Sequence, residues 1–211
     1  MGEIMRPLSF SALMEHALGE FEKSRSIFGI REEKFYKNVS ENKITLFGTQ
    51  IDSPIGPAAG PNSQLAQNIA AAYLAGSRFI ELKTVQTMDG EELRNCVPRP
   101  CINAADECYN VEWSTELTVQ QAFDEYVKAW FMVHVLGKEY GLGTGVLFNM
   151  SVGYSYDGIR SKKIDDYIEG LKDAVSTPIW SECSDWLRAN LGRFTAFQQE
   201  DLDAIPAAVS T

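Results

Sequence analysis

Two short stretches hold the residues that could do chemistry. In Phe79–Val85 (FIELKTV) one lysine stands in an apolar run, and alternation places Phe79, Glu81, Lys83 and Val85 on one face of a strand. A strand covered on both sides has few uses for a cation, so Lys83 reads as a ligand contact, with Glu81 one layer deeper and able to pair with it. The plain alternative is an exposed Lys–Glu pair worth about 0–1 kcal/mol. Upstream, Asp52–Asn68 (DSPIGPAAGPNSQLAQN) reads as an apolar strand over Ile55–Ala59, then Gly60, a proline, and a polar cap opening a helix. Such a junction leaves backbone N–H groups free, with no Cβ at Gly60 to block a flat ring. Its alternative is a tight turn that needs glycine for φ > 0 alone. The two strand ends together read as one side of a flavin site, with Ala59, Gly60 and Lys83 against the ring. Asn149 and Ser151 end a third strand, where amide and hydroxyl could bond a heterocycle or cap the next segment.

Other chemistries fit less well. Cys96, Cys101 and Cys108 lack the tight spacing and fourth partner of a zinc or iron–sulfur site, so no metal is expected. Only two histidines are present, His16 off an apolar helix face and His134 on one, which leaves no Ser-His-Asp set. Gly141–Gly145 (GLGTG) precedes a strand, whereas a dinucleotide fingerprint follows one, so it reads as a helix-to-strand turn. Asp165-Asp166 and Glu91-Glu92 sit in polar runs and read as solvated surface. A Schiff-base lyase using Lys83 is a weaker third idea.

The elements that position these residues follow from periodicity. Ser9 caps a helix with Phe10, Leu13, Met14, Ala17, Leu18 and Phe21 on one face. Ser26–Ser40 is a mixed, charged connection, and Lys43–Phe47 alternates as a strand. Ser63–Ala75 is an Ala-rich helix ended by Gly76 at C′, and Phe79–Val85 completes a βαβ unit. Gln86–Thr118, with Tyr109, Val111 and Trp113, reads as a lid. Thr118 caps a long helix, and Val146–Val152 is the third strand. Two further helices follow, with Ile164, Tyr167, Ile168, Leu171 and Val175, then Ile179, Cys183, Trp186, Leu187 and Leu191, facing inward. Ala204–Thr211 looks like a strand beginning.

Composition narrows the partners. Nineteen basic against 29 acidic residues, net charge −10, argue against nucleic acid. No apolar run reaches the roughly 18 residues a membrane span needs, and Met1–Phe10 has no apolar signal region. A cytoplasmic protein with thiol cysteines is expected, in which the sequons at Asn38 and Asn149 are coincidental. A closed (β/α)8 barrel takes about 250 residues, and three βα units are too few to close one. The chain is therefore read as α/β, the N-terminal part of a TIM barrel, incomplete here. Residues 1–42 form a helical extension and 43–211 the first half of a flavin-type barrel.

The residues also resemble a known family. Ser53-Pro-Ile-Gly-Pro-Ala-Ala-Gly60 resembles the first-strand motif of the dihydroorotate and dihydropyrimidine dehydrogenase flavin barrels, and Ile80-Glu-Leu-Lys-Thr-Val85 their second-strand Lys-Thr pair. Val97-Pro-Arg-Pro100, Asn110-Val-Glu-Trp-Ser-Thr-Glu116 and Asn149-Met-Ser151 are similar to later segments, the match covering roughly Ile44–Asp173. With Met1–Leu8, Arg25–Ile30 and Glu107–Glu116, the chain resembles still more closely large bacterial oxidoreductases that carry the name selenate reductase subunit. The resemblance implies FMN against Ala59, Gly60, Lys83 and Thr84, with Asn110, Asn149 and Ser151 toward a small planar substrate. It implies FAD, NAD(P)H and iron–sulfur clusters in the C-terminal remainder of the polypeptide. The catalytic Cys or Ser and the phosphate-binding end would lie beyond Thr211, so this piece alone would be inactive. A homo-oligomer is possible, and the rival from another class is a degenerate barrel acting as a scaffold without flavin.

Overall fold

The computed structural model describes residues 6–38, 43–88, 92, 95, 115–153 and 155–210. Helix α1 (Phe10–Ser24) begins where Ser9 Oγ accepts the Ala12 N–H at 3.2 Å, and it buries Phe10, Leu13, Met14, Ala17 and Leu18 as its spacing predicts. His16, off that face, stacks on Phe28 and faces Glu20 at 3.4 Å.

Two antiparallel hairpins follow: β1 (Ser26–Ile27) with β2 (Ile30–Arg31), and β3 (Ile44–Leu46) with β4 (Thr49–Ile51). The first replaces the expected irregular connection. Both turn through a Phe-Gly pair with positive φ at each residue, Phe28-Gly29 and Phe47-Gly48. Such turns normally announce themselves as Asn-Gly or Asp-Gly, and a left-handed Phe costs about 1–2 kcal/mol. At the first turn Glu20 offsets that cost by accepting the N–H groups of Phe28 (2.7 Å) and Gly29 (2.9 Å) and the Ser26 hydroxyl (2.7 Å).

The centre of the fold is parallel. Strand β5 (Phe79–Glu81) follows helix α2 (Ala66–Leu74), which Gly76 closes at C′ with φ +116° and the paired bonds Gly76 N–H to Tyr73 and Ser77 N–H to Ala72. After helix α3 (Val119–Glu139) comes β6 (Leu147–Asn149), lying in register with β5 so that Glu81 faces Asn149. The expected strand at Ile55–Ala59 is present only as half a ladder. Its Ile55 and Pro57 carbonyls accept the N–H groups of Phe79 (3.3 Å) and Glu81 (3.1 Å), and Pro57 has no N–H to return. Gly56 makes this approach possible, since a Cβ there would lie 1.5 Å from the Phe79 carbonyl oxygen.

Helix α3 is buried almost all round, and Thr118 and Gln121 form its capping box. It carries a buried pair, Glu125 and Lys128, with split duties. Glu125 Oε2 accepts the Ala66 N–H at 2.7 Å and so caps α2, whose own Leu65 offers no side-chain cap. Lys128 Nζ donates to the Leu8 carbonyl at 2.6 Å. Burial raises the Glu125 carboxyl above its usual range despite both partners.

Four helices complete the described chain: α4 (Tyr156–Ile159), α5 (Lys162–Lys172), α6 (Pro178–Asn190) and α7 (Gln199–Asp203). Helix α5 buries Ile164, Tyr167 and Leu171 but stops at Lys172, so Val175 is exposed where an inward position was expected. Residues 204–210 form no strand, yet Ser210 Oγ donates to the Phe148 carbonyl at 2.9 Å, on the β6 edge. The arrangement is α/β and incomplete as a barrel: a parallel pair with a half-ladder along β5 and the Ser210 hydroxyl on the β6 edge.

Candidate functional site

The C-terminal tips of β5 and β6 point the same way, because the strands are parallel, and the Pro57–Gly60 segment ends beside them. Ser63 ties the tips together. Its hydroxyl accepts the Gly60 N–H at 3.3 Å, and its carbonyl accepts the Lys83 N–H at 3.2 Å. Gly60 and Lys83 thus belong to one end of the sheet.

That Lys83 bond marks a break in the ladder. Glu81 faces Asn149 and Val85 bridges Val152, so β5 uses four steps where β6 uses three. The extra residue is a β-bulge, a device that re-aims side chains near sites. Leu82 N–H still reaches the Asn149 carbonyl (2.9 Å) and Val85 N–H the Ser151 carbonyl (2.9 Å), while Lys83 turns to Ser63. The simple alternation that put Val85 on the Glu81 face therefore ends at the bulge. Leu82 and Lys83, neighbours in sequence, are both buried. At 3% exposure, Lys83 is no surface ion-pair partner. The Tyr126 hydroxyl donates to its carbonyl at 2.7 Å, and burial holds that phenol well above its ordinary pKa.

Other expected site residues fall into place around the bulge. Thr84 Oγ1 and Ser151 Oγ share a hydrogen bond of 2.9 Å. Asn149 sits half-buried opposite Glu81. Ala59 approaches through its N–H, which donates to Glu81 Oε2 at 3.4 Å. The amides expected to be free are thereby used inside the protein, Ala59 by Glu81 and Gly60 by Ser63, and the polar residues after Gly60 cap no helix, since α2 opens at Ala66. What remains of the cradle is its bareness. Gly60 has no positive φ, and an added Cβ would meet only the Ala58 carbonyl oxygen at 3.6 Å among the described residues. Neither turn geometry nor packing within the described residues requires glycine there. Asn110, the three loop cysteines, Val97–Pro100 and the lid aromatics lie outside the described residues.

Four residues of this end escaped the sequence reading. Besides Ser63, Gln64 is fully buried with Oε1 accepting from Thr115 Oγ1 (3.2 Å) and the Glu116 N–H (3.0 Å). Thr115 N–H donates to the Thr84 carbonyl at 2.7 Å. Gln86, 2% exposed, follows the Val85 bridge. The signal was available: a glutamine directly after an apolar strand is as odd there as the lysine.

Electrostatics elsewhere follows burial. Desolvation lowers His134 to about 4, and its Nδ1 lies 2.9 Å from the Trp130 carbonyl, as a core histidine should. The Cys183 thiol is pushed up and inert. Among the described residues, no three His, Cys, Asp or Glu side chains could hold a metal ion, and no helix is long and apolar enough to cross a membrane. A cavity of about 350 Å³ opens between α3, α5 and α6, lined by Val119, Phe123, Tyr167 and Pro178, and none of the strand-tip residues lines it.

Comparison with known proteins adds the family. A family model described as "Oxidoreductase YgfK, N-terminal TIM-barrel domain" matches residues 28–211. Proteins of Escherichia coli K12 and of Escherichia coli O157:H7, both provisionally named oxidoreductase YgfK, are each 44% identical over 222 aligned positions. The alignment covers 100% of this chain and 21% of each relative, so the chain spans about a fifth of their length. No solved structure matches.

Proposed function

The chain belongs to the family of the oxidoreductase YgfK N-terminal TIM-barrel domain, and from that premise we propose that its strand tips form one wall of an FMN site in a larger oxidoreductase. Barrel enzymes hold their ligands at the C-terminal strand ends. The observation that carries the reading is the bare patch at Gly60, fastened through Ser63 to the buried lysine of the next strand.

The residues present suit such a ring. Ala59 and Gly60 offer a flat surface, bare at Gly60 and carrying only a methyl group at Ala59. Lys83, in a site of low dielectric, offsets the negative charge of a reduced ring. Thr84 and Ser151 already share one proton between two hydroxyls, leaving the second hydroxyl hydrogen to donate elsewhere. Asn149 and Ser151, with Asn110 from the loop, would orient a small planar heterocycle. When bound, FMN supplies hydride transfer to or from a C=C or C=N bond. The wider resemblance to the dihydropyrimidine and dihydroorotate dehydrogenase barrels, and to oxidoreductases named for selenate reduction, supports a cytoplasmic electron chain. In it NAD(P)H, FAD and iron–sulfur clusters of the remaining polypeptide would exchange electrons with this site.

The test is the visible absorbance of the purified full-length protein. We expect a flavin band, with flavin content or turnover reduced at least about tenfold in Lys83→Ala, about the cost of one charge-assisted hydrogen bond. Unchanged flavin content and rate in the variant would remove Lys83 from the site. A colourless wild-type protein, still colourless after incubation with FMN, would favour a scaffold barrel.

A further inference from the structure

Two buried glutamines at the strand tips have hydrogen-bonding capacity that the described protein does not use. Gln86 has no partner at either Oε1 or Nε2. Its backbone is nevertheless fixed on both sides. Val85 bridges β6 through Ser151 and Gly153, and the Thr87 carbonyl accepts from Lys163 Nζ at 2.9 Å. Gln64 is oriented without ambiguity, since only its oxygen can accept the Glu116 N–H, and its Nε2 is left buried without a partner. Buried polar groups are nearly always paired, so each such atom asks for an explanation. Both belong to the end that carries Lys83 and Thr84: Ser63 precedes Gln64 and binds the Lys83 N–H, and Thr115 bonds Gln64 and the Thr84 carbonyl.

We propose that Gln86 and Gln64 read the lactam edge of a planar heterocycle, an N–H beside a ring carbonyl. A primary amide presents a donor and an acceptor in one plane, and pairs with such an edge through two hydrogen bonds. Gln86 supplies both. Gln64, whose oxygen is taken, supplies one donor to a carbonyl. A carboxylate or a phosphate leaves the Gln86 oxygen unsatisfied, and an apolar ring leaves both Gln86 atoms so. The edge can belong to the flavin ring or to the substrate. The inference rests on the reading of these tips as a heterocycle site, and assigns the residues that select the ring's edge.

The experiment uses the full-length protein stripped of flavin, and the same protein reloaded. Gln86→Met keeps the length of the side chain and removes both polar groups. Gln64→Glu keeps the acceptor for Thr115 and Glu116 and removes the donor. FMN binding is followed by flavin fluorescence quenching and uracil binding by calorimetry, with thermal midpoints to check folding. We expect each variant to fold and to weaken one probe at least about tenfold, the loss of roughly one hydrogen bond. Weaker FMN binding assigns the edge to the cofactor. Weaker uracil binding with FMN unchanged assigns it to the substrate. If both variants bind both probes within twofold of wild type, the inference is overturned while the flavin reading stands. A wild-type protein that takes uracil but not FMN overturns the flavin reading alone, and one that takes neither overturns both.

Discussion

Arg78 and Lys83 stand at opposite ends of one strand, both buried, and the protein surrounds them differently. The Arg78 guanidinium donates to the carbonyls of Tyr73 (2.8 Å), Ser77 (2.9 Å), Tyr36 (3.4 Å) and Leu142 (2.9 Å), and lies over the Tyr73 ring at 4.1 Å. The Asp52 carboxylate faces it at 3.6 Å, and Asp52 N–H donates to the Gly145 carbonyl. One side chain thus joins the end of α2, the turn before β6, the connection after β2 and the segment after β4. At the other end of β5, Lys83 lies on a bulge beside a bare glycine, two hydroxyls sharing a proton, and glutamine atoms without partners. In barrels the lower end is where stability concentrates, and the upper end is where ligands bind. The contrast here is chemical. The Arg78 guanidinium commits its two terminal nitrogens to four carbonyls, leaving only Nε and the facing Asp52 Oδ2 without a hydrogen bond. Beyond Lys83, both polar atoms of Gln86 and the Gln64 amide nitrogen lack one, so the first is the filled end and the second the open end.

The largest expected effect breaks the filled end. Arg78→Ala takes the donor from the Ser77, Tyr36 and Leu142 carbonyls, Tyr73 keeping the Gly76 N–H, and leaves the buried Asp52 carboxylate facing Lys43, 3.9 Å away. Removing one partner of a buried pair costs about 3–5 kcal/mol, so a urea midpoint should fall steeply. Lys83→Met, changed at the open end, should cost much less and act on ligand binding instead. Equal losses of stability from the two substitutions would erase the distinction.

Next in size is the response to acid. His134 lines a cavity with Thr144 and Val146, in the turn that enters β6, so it belongs to the filled end. Burial lowers its folded pKa to about 4, against an ordinary value of 6.5. The unfolded chain then binds the extra proton between these values. Stability from the neutral imidazole is therefore complete above about pH 6.5 and is lost as pH falls toward 4. The window corresponds to about 3 kcal/mol. Carboxylates held low by partners, such as Glu20 and Asp201, also lose stability in acid. The diagnostic is accordingly the difference between wild type and His134→Leu: the variant's stability should fall less between pH 6.5 and 4. Parallel curves would place the acid sensitivity elsewhere.

Local rules made the helices legible and hid the joints between them. Helices α1, α3 and α6 follow from apolar spacing and a hydroxyl cap, both written within one segment, and α5 from apolar spacing, its Ser161 cap coming from the structure. Gly76 and the Gly141–Gly145 turn were readable for the same reason. The two hairpins were hidden because Phe stands where Asn is usual and a distant Glu20 supports the first turn. The bulge at Lys83 was hidden because its cause is Ser63, twenty residues upstream, which takes the N–H. The cap of α2 comes from Glu125 on another helix. At the strand tips, Gly60, Lys83, Asn149 and Ser151 were legible from their types and places at strand ends, and Thr84 only from the resemblance. Gln64 and Thr115 sit in ordinary polar surroundings, and only their burial distinguishes them.

The finest comparison is between glycines. At Gly145 a Cβ would press on Asp52 Oδ1 at 3.1 Å and on the Gln50 carbonyl at 3.2 Å, tight contacts at the filled end. Overpacking of this kind costs about 1–3 kcal/mol, so Gly145→Ala should lower the thermal midpoint measurably. At Gly60 the same methyl group would meet only the Ala58 carbonyl oxygen at 3.6 Å, an ordinary contact, and no positive φ opposes it. Removing a flexible glycine there can even stabilise the chain, by about 0.4–1 kcal/mol, through its unfolded state. Gly60→Ala should thus leave the full-length protein as stable as wild type, or slightly more so, while a flat ring loses its seat. The measurement pairs a thermal midpoint with FMN affinity on the same sample. A stable variant with weakened FMN binding would mean the glycine serves the ligand. A stable variant that binds FMN like wild type would mean the bare surface at the open end has no part in holding it.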